Sequence, residues 1–312
     1  MFAPLAAVLT LAGLWTIYWS IASAKIHNAY AEAEQRLRTR GISLSCTNAQ
    51  WGGFPFRVER SCEEPRLSID TAQGRIDVAA SKLLMALQAY DPRHAIALLD
   101  GETTISGAAS GKIKHQRALA SIVLGSDDSW QATLELPKVA IDEAVSADRL
   151  LVSARTPEGE DADFAVTAEK AALRFANGAT LALDAADLVG SLPKAALGQN
   201  IGKYFAATGK SVVVTSLSMR QGELSLAGAG SVSVDRSGYL SGRIALRIKR
   251  IDLLFENVKA IAHLSEEDAH TAKIFVDLLQ NGSTDDSQID LIAKDGKLYC
   301  GPFKVAELRP LF

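Results

Sequence analysis

The hydrophobic pattern changes twice along the chain. From Met1 to Ala24 there is no charged side chain, and Leu5, Val8, Leu9, Leu11, Leu14, Ile17 and Ile21 keep the segment apolar. About 20 such residues cross a bilayer. Trp15, Tyr18 and Trp19 gather toward its C-terminal end, where an interfacial aromatic belt lies. Residues 1–24 therefore predict a transmembrane anchor. The rival is a cleaved signal peptide, because Ala22-Ser23-Ala24 fits an A-x-A cleavage site. The run is longer than an ordinary signal core and no Lys or Arg precedes it, which favours the anchor.

Residues 25–41 read as an amphipathic stalk helix. Ile26, Tyr30, Ala33 and Leu37 share one face at helical spacing. Glu32 with Arg36 and Glu34 with Arg38 are pairs in the favourable order. Gly41 supplies a C-terminal stop. Anchor and stalk can form one helix standing a domain off the membrane.

From Ile42 the period becomes two. Ile42, Leu44 and Cys46 alternate with polar neighbours, and similar runs recur to the end of the chain. Among them are Leu67–Ile69, Ile76–Val78, Leu119–Leu124 and Trp130–Leu136. Lys82–Ala89, with Ser81 as cap, predicts a short helix, and Ser191–Ala207 predicts a helical interlude. Val212–Met219, Leu224–Val234 and Tyr239–Ile248 are strands joined by turns at Gln221-Gly222 and Asp235–Gly238. Gly228-Ala229-Gly230 lies mid-strand and marks a bulge or close packing. Leu253, Leu254, Val258 and Ile261 mark a further helix, and Glu266–Gln280 another, capped by Ser265. The expected fold is α+β and mainly β: an N-terminal helix, then residues 42–312 as a long, curved antiparallel meander capped by a few helices. Thr156–Asp163, acidic and with Pro157 and Gly159, is a surface loop and a candidate break into halves 42–155 and 164–312.

Composition narrows the function. A net charge of −3 over 312 residues supplies no global basic field for nucleic acid. Cys46 and Cys62 flank the Gly52-Gly53 turn, so a hairpin would let them form a disulfide in an oxidising compartment; the alternative is two unrelated core residues. Cys300 reads as a buried free thiol. Lys25, Arg36, Arg38 and Arg40 follow the span and argue for a cytoplasmic chain by the positive-inside count. The cysteine pair argues for export. Glu32 and Glu34 dilute the charge, and export is the preferred side.

Chemistry is sparse. There is no G-x-S-x-G, no G-x-G-x-x-G and no Walker loop. Asp127-Asp128 and Asp285-Asp286 lie in Ser-rich turns. His27, His94, His115, His263 and His270 form no metal pattern. Phe54 and Phe56, on one face around Pro55, either staple the stalk end and first hairpin to the sheet or line the mouth of an apolar groove facing the membrane. Arg57 can pair with Glu59, with Glu63 or with a lipid phosphate. Arg243, Arg247 and Lys249 alternate with Ile244, Leu246 and Ile248, giving a basic outer stripe that is either a solvated face or a contact for anionic head groups.

The N-terminal span, the stalk end Arg40-Gly41-Ile42, the cysteine-flanked Gly53-Phe54-Pro55-Phe56-Arg57, and the closing Asp295-Gly296 and Gly301-Pro302-Phe303 together resemble one family. It is the uncharacterised Gram-negative envelope family called domain of unknown function 2125. The resemblance covers nearly the whole chain and brings no activity or catalytic residue. Leu224–Ile248, with Asp235 and Gly238 in its turn, also resembles hairpins of AsmA-like envelope proteins, implicated in lipid handling. The expected protein is a single-pass inner-membrane protein with its C-terminal domain in the periplasm. It is not an enzyme and needs no cofactor or metal; it binds lipid or another hydrophobic ligand. The alternatives are an envelope scaffold that binds protein partners and, third, an envelope hydrolase.

Overall fold

The computed structural model describes the chain except residues 1–2, 72–73, 126, 128, 160, 176, 198, 263–269, 271–272, 275, 278–285 and 302. Anchor and stalk are one helix, α1 (Ala3–Arg38). It is long and apolar enough to cross a membrane, with a mean hydropathy of 1.7 over its most apolar stretch, a test that a signal sequence also passes. The two expected ion pairs form, Arg38–Glu34 at 2.6 Å and Arg36–Glu32 at 3.6 Å. Gly41, at φ +73°, ends the helical run in the left-handed region, and its carbonyl accepts from the Asp70 amide at 2.8 Å.

Two compact units follow from the contacts, Met1–Asp142 and Glu143–Phe312. The strands of the first are β1 (Ile42–Ser45), β2 (Asn48–Gly52), β3 (Arg57–Glu63), β4 (Arg66–Thr71), β5 (Gly74–Ala79), β6 (Lys82–Gln88), β7 (His94–Asp100), β8 (Thr103–Gly107), β9 (Gly111–Lys114), β10 (Arg117–Leu124) and β11 (Trp130–Ile141). All their pairings are antiparallel. The register shows that these are longer runs of extended chain with a crease across them. Ser45 pairs with Arg66 and Asn48 with Glu63, so β1–β2 and β3–β4 are one hairpin interrupted at 46–47 and 64–65. The β3–β4 run meets β5–β6 the same way, through Glu63↔Lys82 and Arg66↔Ala79. Asp100↔Lys82 and Thr104↔Ala79 leave an extra residue on the β7–β8 run, where Gly101 sits at φ +88°. Such an insertion bends a strand and increases its twist.

The second unit is a simple meander. It runs β12 (Val145–Arg155), β13 (Asp161–Arg174), β14 (Thr180–Pro193), β15 (Ser211–Gln221), β16 (Leu224–Val234), β17 (Leu240–Lys249), β18 (Asp286–Lys294), β19 (Lys297–Cys300) and β20 (Phe303–Glu307). Each strand pairs with the next. Even-numbered side chains of β16 and β17 share one face. At one end of it α2 (Ile201–Thr208) lowers Phe205 onto Val234, Val212 and Leu240. At the other, α3 (Ile251–Ala262) packs Ile251, Leu254 and Phe255 against Leu224, Leu246 and Ile248. Asn200 caps α2 by accepting from the Lys203 amide, and Gly209 ends it at φ +66°. The mid-strand glycine reading holds: a Cβ on Gly230 would lie 2.1 Å from the Arg243 carbonyl oxygen.

Two expectations change. Lys82–Ala89 is not a helix; Lys82–Gln88 is β6, held between β3 and β7. A short apolar run such as Leu83–Leu87 suits a buried strand as well as a helix, and pairing on both edges decides it. Ser191–Ala207 starts as strand: β14 runs to Pro193, a single 3-10 turn follows at Lys194–Ala196, and only Ile201 onward is α-helix. Most of Glu266–Gln280, with Ser265, lies outside the described residues, as do His263, Asp128, Asp285 and Pro302. Thr156–Asp163 spans the turn between β12 and β13, within the second unit.

Candidate functional site

Cys46 and Cys62 are bonded, with Cα atoms 5.4 Å apart. The bond ties the crease between β1 and β2 to β3, whose Val58 and Cys62 are fully buried. This fixes the base of the hairpin whose tip is Gly53-Phe54-Pro55-Phe56. That tip does not turn toward the sheet. It lies along α1.

Two helix side chains hold the tip by its backbone, and a third holds the neighbouring Ala89. The Trp15 indole donates to the Pro55 carbonyl at 2.9 Å, the Trp19 indole to the Arg57 carbonyl at 3.1 Å, and the Tyr18 hydroxyl to the Ala89 carbonyl at 3.1 Å. The rings follow: Phe54 meets Trp19 edge-on at 5.2 Å, and Phe56 meets Trp15 at 6.1 Å. Both phenylalanines thus contact one helix, yet Phe54 stays 55% exposed, Phe56 63% and neighbouring Tyr90 61%. Arg57 takes the first partner expected of it, Glu59, at 2.5 Å.

Further along α1 the contact continues through residues that sequence reasoning passed over. His27 stacks on Trp51 at 3.9 Å and Tyr30 meets the same ring at 5.6 Å. The Arg60 guanidinium lies 4.0 Å from the Tyr30 ring centre and 5.4 Å from that of Trp51. Its buried Nε has no hydrogen-bond partner among the described residues. The signal was present: Arg60 falls between Val58 and Cys62 on the inward parity of β3, where a charged residue needs a reason. The stalk therefore does not project clear of the sheet; it runs beside the β2–β3 hairpin.

Register carries an apolar surface away from this seam. Val58, Leu87, Ala95 and Ile122 form one row across β3, β6, β7 and β10. Arg60, Met85, Ala97 and Ala120 form the next, extended to Leu134 on β11. Cys62, Leu83, Leu99 and Ala118 form a third. The surface is only partly covered: Ile122 is 39% exposed and Leu134 38%.

The basic stripe lies on β17 in the second unit, as alternation predicts: Arg243, Arg247 and Lys249 are exposed while Leu246 and Ile248 are buried. Asp290 on β18 receives a hydrogen bond from Arg243 at 2.5 Å and raises the guanidinium pKa further. Between Arg243 and Arg247 is an open groove of about 580 Å³ floored by Ala227, Gly228 and Ala245. Satisfied by Asp290, Arg243 is a poorer head-group contact than its sequence position suggests.

Little resembles catalysis. His94 Nε2 lies 3.1 Å from Ser121 Oγ, but among the described residues no carboxylate bonds to His94 to complete an activating relay. His115 pairs with buried Thr103 at 2.9 Å. Among the described residues no three His, Cys, Asp or Glu side chains converge on a metal position. Burial pushes the Cys300 thiol pKa up, against nucleophilic use.

The profile of one family, described as uncharacterized proteins conserved in bacteria, matches residues 19–309. The chain belongs to the DUF2125 family. The match starts at Trp19, so it takes in the end of the aromatic cluster on α1, the Gly53–Arg57 tip and all of β1 to β20. No curated protein matches the chain. The likeness of Leu224–Ile248 to AsmA-like hairpins thus rests on residue pattern alone, and DUF2125 membership itself brings no assigned activity.

Proposed function

We propose that this DUF2125 protein is a non-enzymatic, membrane-anchored envelope protein, with α1 in the inner membrane and the sheets in the periplasm. Its ligand is a lipid or another hydrophobic molecule. One adjacency carries the reading: the partly exposed apolar rows of the first unit begin at Arg60 and Val58, beside the seam where the β2–β3 hairpin meets the apolar helix. At that seam the Arg60 guanidinium lies against the Tyr30 and Trp51 rings, so the rows open from an aromatic edge. The Cys46–Cys62 bond supports the exported side, because such bonds persist in oxidising compartments.

Native mass spectrometry of the detergent-extracted chain tests this. Co-purifying lipid that survives detergent exchange is the expected result, and it should diminish in Leu134→Glu, which places a charge on the apolar face. A chain that is ligand-free in every preparation would sink the proposal. In-cell crosslinking from Ile122 that traps discrete proteins and no lipid would favour a scaffold instead.

A further inference from the structure

We infer that the Gly53–Arg57 tip is a membrane-immersed finger, with Phe54, Phe56 and Tyr90 seated in the headgroup–acyl boundary of the bilayer that α1 crosses. The inference rests on the anchor reading above. Its first ground is depth. Lys25 is the first charged residue after the apolar run, so the near surface of the membrane lies close to it. Trp19 and Trp15 precede Lys25 by about 9 and 15 Å of helix at the standard rise. The tip hydrogen-bonds to both indoles. It must therefore sit below the level of Lys25: the Arg57 contact with Trp19 falls within an interfacial depth of about 5–10 Å, and the Pro55 contact with Trp15 lies deeper.

The second ground is the way the tip treats its backbone. Lipid offers no hydrogen bonds, so irregular chain at that depth needs internal partners. The carbonyls of Pro55, Arg57 and Ala89 receive the two indoles and the Tyr18 hydroxyl. The Phe56 carbonyl receives the Ala89 amide at 2.9 Å, the Gly53 carbonyl receives the Arg57 amide at 3.0 Å, and Pro55 has no N–H to satisfy. The indole and hydroxyl donors from α1 supply bonds that a water-exposed turn would take from solvent. What is left outward is apolar and aromatic: Phe54, Phe56 and Tyr90, each more than half exposed. Arg57, exposed beside these rings, keeps its charge paired with Glu59.

The test uses the full chain carrying Cys300→Ser and one added cysteine at Phe56, Tyr90 or Leu9, each labelled with bimane and reconstituted into phosphatidylcholine–phosphatidylglycerol vesicles. Doxyl-labelled lipid and aqueous iodide serve as quenchers. Labels at Phe56 and Tyr90 should lose about half their fluorescence to shallow doxyl lipid and resist iodide, as an inserted interfacial segment does. Quenching of Leu9 by lipid with Phe56 and Tyr90 open to iodide would overturn the finger while leaving the anchor intact. If Leu9 also escapes lipid, the anchor reading itself fails. Phe56 and Tyr90 shielded from both quenchers would mean that a second copy or another protein covers the tip, which also overturns the inference.

Discussion

In Met1–Asp142 the strand pairing lapses along a line across the sheet, at 46–47, 64–65, 80–81 and 101–102; in Glu143–Phe312 each of β12 to β19 pairs with its successor, and the breaks are local, among them 147–148 opposite 170–171 and single-residue shifts between β14, β15 and β16. The second unit buries Leu224 and Ile248 completely under α3 and Phe205 almost so beneath the α2 end. In the first unit the strands β6 and β7 hold Leu83, Leu84, Met85, Leu87 and Leu99 at half burial throughout. The contrast teaches where each unit gets its stability. One relies on apolar burial under helices. The other buries a smaller core at Val58, Cys62, Ala118 and Val139, adds a covalent bond, and leaves the apolar face partly exposed.

The largest test of that contrast strikes the second unit. Ile248 is fully buried among Leu224, Leu246, Ile251 and Ile289. Ile248→Ala should cost about 2–5 kcal/mol, transfer and cavity together. Urea unfolding followed by circular dichroism would measure it. The fluorescence of Trp15, Trp19, Trp51 and Trp130, all in the first unit, provides a separate reading of that unit. A loss well under 1 kcal/mol would mean that α3 does not seal this face and that the comparison is mistaken.

A smaller effect is expected from the paired change Cys46→Ala with Cys62→Ala. The bond closes a 16-residue separation, for which chain entropy gives about 3 kcal/mol. It should appear in the tryptophan transition, because Trp51 lies inside the closed loop. Loss of the bond should also loosen the hairpin tip, so Trp15 and Trp19 emission should shift toward longer wavelength before global unfolding. An unchanged tryptophan midpoint would show that the crease holds without the bond.

Much of this was legible in the residues. Alternation at Ile244, Leu246 and Ile248 gave both the strand and its basic face, and the Asp235–Gly238 turn fixed the register of its hairpin, where Val234 meets Leu240. Residues 1–24 and 25–41 ran together into one helix because Gly41 is the first stop after them. What escaped depends on partners distant in sequence. Leu83–Leu87 has no local feature that chooses strand over helix, and only β3 and β7 on its two edges decide it. Phe54 and Phe56 read from the sequence as staples to the sheet or as a groove mouth, and the structure sets them against the helix instead. That their partners are Trp15 and Trp19 follows from the hairpin folding along the helix, which no periodicity encodes. Arg60 and Trp51 were missed for the same reason: their setting is made by Tyr30 on α1.

The finest distinction between the units is a histidine at the crease. His115 lies between β9 and β10, its Nε2 is 2.9 Å from the Thr103 hydroxyl, and its Nδ1 is buried with no partner among the described residues. Burial holds its pKa below the ordinary value of 6.5, and the Asp100 charge opposes that only in part. The sign follows. Near pH 6 the unfolded chain takes up a proton that the folded crease resists, so unfolding gains protons there. Stability should be level above the unfolded pKa, fall as the pH drops toward the lowered folded value, and level off beneath it. His115→Gln retains a side-chain group for Thr103 and removes the titration. Its unfolding midpoint between pH 7 and pH 5 should therefore decline less than that of the parent chain, every other titrating group being common to both. Parallel pH profiles for the two proteins would show that His115 is hydrated in the folded state and that the crease is open to water.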